Sequence, residues 1–207
     1  MTINKTGFSE QGIRVLLSCA LPALVCIAHV LEVALAAESA LHNEVQWEEV
    51  FRGVSIARLE TTSPRPIKAY AVRIRLDAGG ISFLATPGNG DVPGETTGLK
   101  TSTFLKKHGL QVGINAGTFS PVGLVEGGPQ DVIGVHVSRG RLVSPWEEKL
   151  PAVLITRSKR VIIAEGPADL GNMETAVGGF GIILRGGKVV QGDDSLHPRT
   201  AAGVSAD

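Results

Sequence analysis

Along much of the chain, apolar residues return at every second position. In 68–76, KAYAVRIRL, Tyr70, Val72, Ile74 and Leu76 alternate with other residues, the period of a half-buried strand. Gly79-Gly80 breaks that run and Ile81 to Ala85 is apolar again, so the two segments predict a hairpin. Val132 to Val137 alternates, turns at Arg139-Gly140 and returns as Arg141 to Ser144. Ala152 to Thr156 and Arg160 to Ala164 form another hairpin around Arg157-Ser158-Lys159, a solvated basic turn. Phe180 to Leu184 and Lys188 to Gln191 form a further one, with Gly186-Gly187 suited to positive φ. Gln111 to Ile114 reads as a short strand leading into Asn115. Pro87 to Gly98 and Pro121 to Pro129 read as Gly- and Pro-rich loops.

One segment has the marks of a helix, Ser102 to His108. Thr101 or Ser102 serves as its N-cap, and Phe104 and Leu105 give it an apolar patch. Lys106, Lys107 and His108 fall in the last turn, where the helix dipole favours cations, and Gly109 fits the C′ position. Dipole and solvent account for the basic trio better than a phosphate does. The sum is an α+β domain, mostly antiparallel short strands with one clear helix.

The N-terminal segment follows a different pattern. Val15 to Leu31 is almost continuously apolar, Lys5 and Arg14 precede it, and Ala34-Leu35-Ala36 has the small-x-small form of a signal-peptidase site. Residues 1–36 are therefore expected to be an export signal, giving a secreted or extracytoplasmic protein. The alternative is an N-terminal membrane anchor, which His29 and Glu32 disfavour because ionisable groups are costly in hydrocarbon. Cys19 and Cys26 both lie in this segment, so the mature chain is expected to hold no disulfide and no thiolate metal site. Residues 37–66 read as a lead-in and 67–207 as the domain proper.

Composition narrows the function classes. Lys plus Arg is 20 and Asp plus Glu is 20, which gives no cationic excess for a nucleic-acid backbone. The hydrophobic fraction of 43% is that of a folded chain. Glycine at 26 of 207, with 4% aromatics, suits short strands and tight turns and not a helical bundle. No metal ligand set and no cofactor motif is evident, and the pattern does not define an oligomeric state.

Two segments hold the candidate chemistry. In Ile114 to Phe119, INAGTF, a strand is expected to end in Asn115, whose amide both donates and accepts hydrogen bonds. Gly117 and its small neighbours let a ligand or another strand approach the backbone. Alternatively Asn115 satisfies loop backbone groups and Phe119 is core. In His197 to Val204, HPRTAAGV, Pro198 fixes the backbone ahead of Arg199, whose planar fork can grip phosphate oxygens in pairs. The small residues after it read as a closely packed inner strand. A structural ion pair for Arg199 and simple exposure for His197 are the alternatives.

Taken in order, these segments resemble the phosphodiester glycosidase family, the family of the lysosomal uncovering enzyme. Asn115 to Phe119 is similar to the family's Asn-Gly-Gly-Phe-Phe segment, with Ala116 and Thr118 as mild departures. Ile182 to Val190 resembles its Gly-turn hairpin, and His197 to Gly203 its His-Pro-Arg-Thr segment entering a strand. The resemblance covers roughly 71–207. Family members continue into an Asp-Gly-Arg segment and a Gly-rich acid segment, so 67–207 is expected to be the N-terminal part of an incomplete domain, inactive alone.

The resemblance implies an exported hydrolase that cleaves a sugar-1-phosphodiester. A glycan or sugar phosphate would be its partner. It implies Arg199, His197 and Asn115 as catalytic residues and Gly117, Phe119 and Thr200 as substrate-binding ones. A carboxylate is also needed, with Glu126, Asp131, Asp193 and Asp194 as candidates. Asp193-Asp194 alone offer too few ligands for a cation such as calcium. A non-catalytic exported module binding carbohydrate or a cell-surface polymer is the alternative function.

Overall fold

The computed structural model describes residues 45–205, apart from Pro64, Leu124, Val125, Phe180, Asp193 and Asp194. The segment expected to be an export signal, both cysteines and the Asp193-Asp194 pair therefore lie outside the described residues. The chain divides into two compact units, 1–73 and 74–207.

The described part of the first unit is a sheet of β1 (Glu48–Phe51), β2 (Val54–Thr61) and β3 (Ile67–Ile74) in that order, with β1 antiparallel to β2. The alternating run around Tyr70 is thus a strand, but its partner is β2 and not Ile81 to Ala85. Aromatic rings cover part of its charge: the Arg73 guanidinium lies 4.5 Å from the Trp47 ring centre, and Arg58 lies 5.8 Å from that of Tyr70.

In the second unit the strands are β4 (Thr96–Thr97), β5 (Thr118–Ser120), β6 (Pro129–Ile133), β7 (His136–Ser138), β8 (Arg141–Ser144), β9 (Ala152–Thr156), β10 (Val161–Ala164), β11 (Met173–Gly178), β12 (Leu184–Arg185) and β13 (Lys188–Val189). Its helix is α1, Thr101–His108. Five strands form the main sheet, β10-β9-β11-β7-β8, every neighbouring pair antiparallel. A smaller sheet runs β4-β6-β5, and β12 pairs with β13. Among the described residues antiparallel strands dominate and the one helix has eight residues, so the helical share of the α+β class is small there.

The core sits on the main sheet. Val135, Val137, Ala152, Leu154, Met173 and Ala176 are buried together, with Trp146, Ile162, Ala164 and Leu170 packed around them. β11 is the central strand, and Ala176 in its middle has no exposed surface. Its sequence, METAVG, lacks the two-residue alternation because the strand is covered on both faces, and nothing in the pattern announced it.

The hairpins β7–β8 and β9–β10 fall where the alternation places them, whereas β12–β13 turns at Gly186-Gly187 as expected but with strands of only two residues each, not Phe180 to Leu184 and Lys188 to Gln191. Arg139 at φ 53° and Gly140 at φ 71° make the tight left-handed turn of the first. The run Val132 to Val137 is not one strand. It breaks between β6 and β7 at Gly134, which adopts φ 88°, and the two halves join different sheets.

Ile81 to Ala85 forms no strand. The carbonyls of Ala85 and Thr86 bond to side chains, the Ser138 hydroxyl at 2.8 Å and the His136 Nε2 at 2.8 Å. His136 and Ser138 are two apart on β7 and share a face, while both edges of β7 already pair with β8 and β11. The segment therefore crosses the face of the sheet and adds no ladder. Gln111 to Ile114 also forms no strand. It pairs with no described strand, and Ile114 is 58% exposed.

α1 starts one residue before the expected position, and neither Thr101 nor Ser102 caps it. Lys100 is the N-cap residue and makes no side-chain cap bond. A distant carboxylate does this work: Glu126 accepts the Lys100 N–H at 2.7 Å and the Thr103 hydroxyl. At the other end Gly109 adopts φ 64°, and its N–H and that of Leu110 both reach the Leu105 carbonyl.

Candidate functional site

The site is built where a loop rests on the end of the central strand. Gly117 lies so close to the Gly178 carbonyl that a Cβ there would sit 3.1 Å from that oxygen. Gly178 in turn leaves no spare room against the Gly134–Val135 backbone, where an added Cβ would meet Val135 N at 3.3 Å. Gly178 also donates its N–H to Val135 at 2.8 Å. The close approach expected at Gly117 is thus made to another strand. β5 continues from the loop, with Phe119 opposite Val132 on β6. Phe119 is 38% exposed and is not core.

The loop holds Asn115 on an exposed face, and the second segment reaches it there. Thr200 donates its hydroxyl to Asn115 Oδ1 at 2.8 Å across 85 positions of sequence. That bond fixes the amide: its oxygen faces Thr200 and its NH2 group faces the other way, as a donor pair for an anion or a sugar hydroxyl.

Arg199 does not act as its rigid base suggests. Its Nη2 donates to Ser195, to the carbonyl at 3.1 Å and to the hydroxyl at 2.9 Å, so the guanidinium folds back on its own segment. It is Thr200, the next residue, that meets the asparagine loop. His197 is exposed beside it. The described residues after Arg199 form no strand and are exposed, including Val204 at 48%, so the closely packed inner strand expected here is absent from the described residues. The backbone of 201–203 joins no described strand.

The carboxylate candidates within the described residues hold backbone. Glu126 caps α1, and its pKa is pushed below the ordinary value by the Thr103 hydroxyl and then by the Lys100 N–H. Asp131 accepts the Glu95 N–H at 3.1 Å, and Glu95 answers by accepting the Val132 N–H at 2.7 Å. This reciprocal pair clamps β4 to β6. Among the described residues no three His, Cys, Asp or Glu side chains converge as a metal cage would require, and no helix is long and apolar enough to cross a membrane.

Two cavities open elsewhere in the second unit. One, of about 390 Å³, is lined by Lys149, Glu165, Arg185 and Gln191 among others, with Arg185 paired to Glu165. The other, of about 250 Å³, lies beside α1. Neither includes Asn115 or Arg199. Sequence reasoning identified Asn115, Thr200 and Arg199 but not the Glu126 cap or the Gly178 seat, which depend on contacts between distant segments.

The unit defined by these strands is an antiparallel, sheet-rich domain with polar side chains on two adjoining exposed segments. Residues 108–207 match the family model described as phosphodiester glycosidase, the family that the Asn115 and His197 segments resemble. No curated protein and no solved structure matches the chain.

Proposed function

We propose that the 74–207 unit serves in hydrolysis of a sugar-1-phosphodiester by an exported protein. The observation that supports this reading is the Thr200–Asn115 hydrogen bond, which joins the two segments most similar to the phosphodiester glycosidase family. In such a reaction the C1–O bond breaks with its electron pair going to the phosphate oxygen, and water supplies the new C1 hydroxyl. A phosphomonoester is a stable anion, so its departure needs charge stabilisation more than protonation. Arg199 would exchange Ser195 for phosphate oxygens and meet the departing charge with a planar fork. The Asn115 NH2 group would hold a phosphate oxygen or a sugar hydroxyl, oriented by Thr200. His197 would assist proton movement. Gly117 and Phe119 would form the wall against the sugar.

The test is to titrate the full chain with a methyl diester of a hexose 1-phosphate, measuring binding and free sugar. Saturable binding that weakens in Arg199→Lys, with its melting curve intact, supports the phosphate fork. Release of sugar overturns the expectation that the chain is inactive alone. Binding that Arg199→Lys leaves unchanged identifies the carbohydrate-binding alternative, and absence of binding overturns the reading.

A further inference from the structure

The cavity beside α1 has a charge pattern that the catalytic reading leaves unused. Thr86, Pro87, Gly88, Asn89, Thr97, Leu99, Phe104, Lys107, His108 and Arg139 enclose about 250 Å³, and no carboxylate is among them. Lys107 and His108 come from the last turn of α1, where the dipole explains cations. It does not explain Arg139, which arrives from the β7–β8 turn. There arginine occupies a φ of 53°, a backbone conformation that favours glycine or asparagine. Lys106, the third basic residue of the turn, is not part of the lining.

The neutral lining is partly committed. Asn89 accepts the Thr97 hydroxyl at 2.6 Å and donates to the carbonyls of Pro93 and Gly94. This holds the loop rim in place and leaves the cationic side chains as the wall that lacks a counter-charge in the lining. Phe104, whose ring centre lies 4.5 Å from that of His108, supplies an apolar side. The volume falls just below the roughly 300–1,000 Å³ of sites for drug-sized ligands, which suits a phosphoryl group with little attached.

We propose that this cavity is an anion site, separate from the Asn115 segment, that takes the phosphoryl group of a phosphomonoester between Lys107, His108 and Arg139. Arg139 would bind two oxygens with its fork, and Lys107 and the imidazolium of His108 would meet the rest. A dianion with oxygens on several sides uses all three donors, whereas a carboxylate does not.

The arrangement has a readout at one residue. His108 is held below its ordinary pKa, first by burial and then by the positive charges of Lys107 and Arg139. A bound dianion opposes both charges and favours the protonated ring. The experiment follows the His108 ring signals by NMR against pH in the full chain, without and with inorganic phosphate, and with acetate as the singly charged control. The expected result is an upward move of the His108 midpoint with phosphate and a smaller one with acetate.

Arg139→Gly is the informative variant, because glycine adopts the local φ more easily than arginine and folding is not at risk. It should weaken phosphate binding about tenfold, as loss of a charge-assisted bond does, with the melting temperature unchanged or raised. Arg199→Lys should leave the His108 response intact. A His108 midpoint that ignores phosphate, or an Arg139→Gly variant that binds phosphate as tightly as the parent, overturns the proposal.

Discussion

Thr200 and Asn115 meet side chain to side chain at 2.8 Å, although 85 positions separate them. The contact makes one surface out of a loop seated on the central strand and a segment near the end of the chain. Its energy is small, since exposed neutral hydrogen bonds contribute about 0.5–1.5 kcal/mol net. Its effect is orientation, because an amide whose oxygen is engaged presents its NH2 group in one direction.

Replacing Thr200 by Val should weaken binding of a sugar-1-phosphodiester by roughly 2–10-fold, the factor corresponding to one such bond. Thr200→Ser keeps the donor and should restore most of the loss. Calorimetric titration with parallel melting curves measures both. Full affinity in Thr200→Val, which loses only the hydroxyl, would remove this bond from the recognition.

Gly117→Ala should displace the asparagine loop. The new Cβ would sit 3.1 Å from the Gly178 carbonyl, against backbone that cannot rotate aside. Overpacking of this kind costs about 1–3 kcal/mol. Denaturant melts should register that loss, and diester binding should weaken with it.

Glu126→Gln should loosen the first turn of α1. The carboxylate is held below its ordinary pKa by the Thr103 hydroxyl and the Lys100 N–H. A depressed carboxylate adds stability above its ordinary value of 4.5, and that stability is lost as pH falls through the folded value. Amide protection factors across Thr101–His108, corrected for the intrinsic pH dependence of exchange, should therefore fall in the parent on acidification. In the variant they should be low already and change little.

His136 gives the main sheet an acid sensitivity of its own. Burial lowers its pKa, against the opposing pull of the Thr86 carbonyl and the Glu95 charge. The unfolded chain then binds more protons than the folded one below the ordinary value of 6.5, so stability is full above that pH and declines beneath it. Melting temperature measured from pH 8 downward should fall in the parent. His136→Gln should flatten that dependence while costing stability near neutrality, because the donor to Thr86 is changed.

The hairpins were legible because each has a half-covered face and a turn with its own chemistry, as at Arg139-Gly140 and Gly186-Gly187. β11 was not legible. A strand covered on both faces needs no alternation, and Ala176 and Gly178 are chosen for closeness to neighbours and not for strand propensity. The opposite error arose at Ile81 to Ala85 and Gln111 to Ile114, whose apolar residues promise strands but whose backbones find no ladder. Pairing is a property of the partner, and local sequence does not name it. In the candidate site the residue types at Asn115 and Thr200 pointed to polar recognition. The fold-back of Arg199 onto Ser195, four residues earlier on its own segment, had no signal in the HPRT motif itself.

The Gly117–Gly178 seat ties occupancy of the loop to integrity of the sheet. A molecule that grips Asn115 also presses its support onto the last residue of β11, so it discriminates the native chain from the denatured one. Such a molecule should raise the unfolding transition in proportion to the logarithm of its concentration. Thermal-shift screening of sugar phosphates thus becomes a route to the natural ligand that requires no turnover.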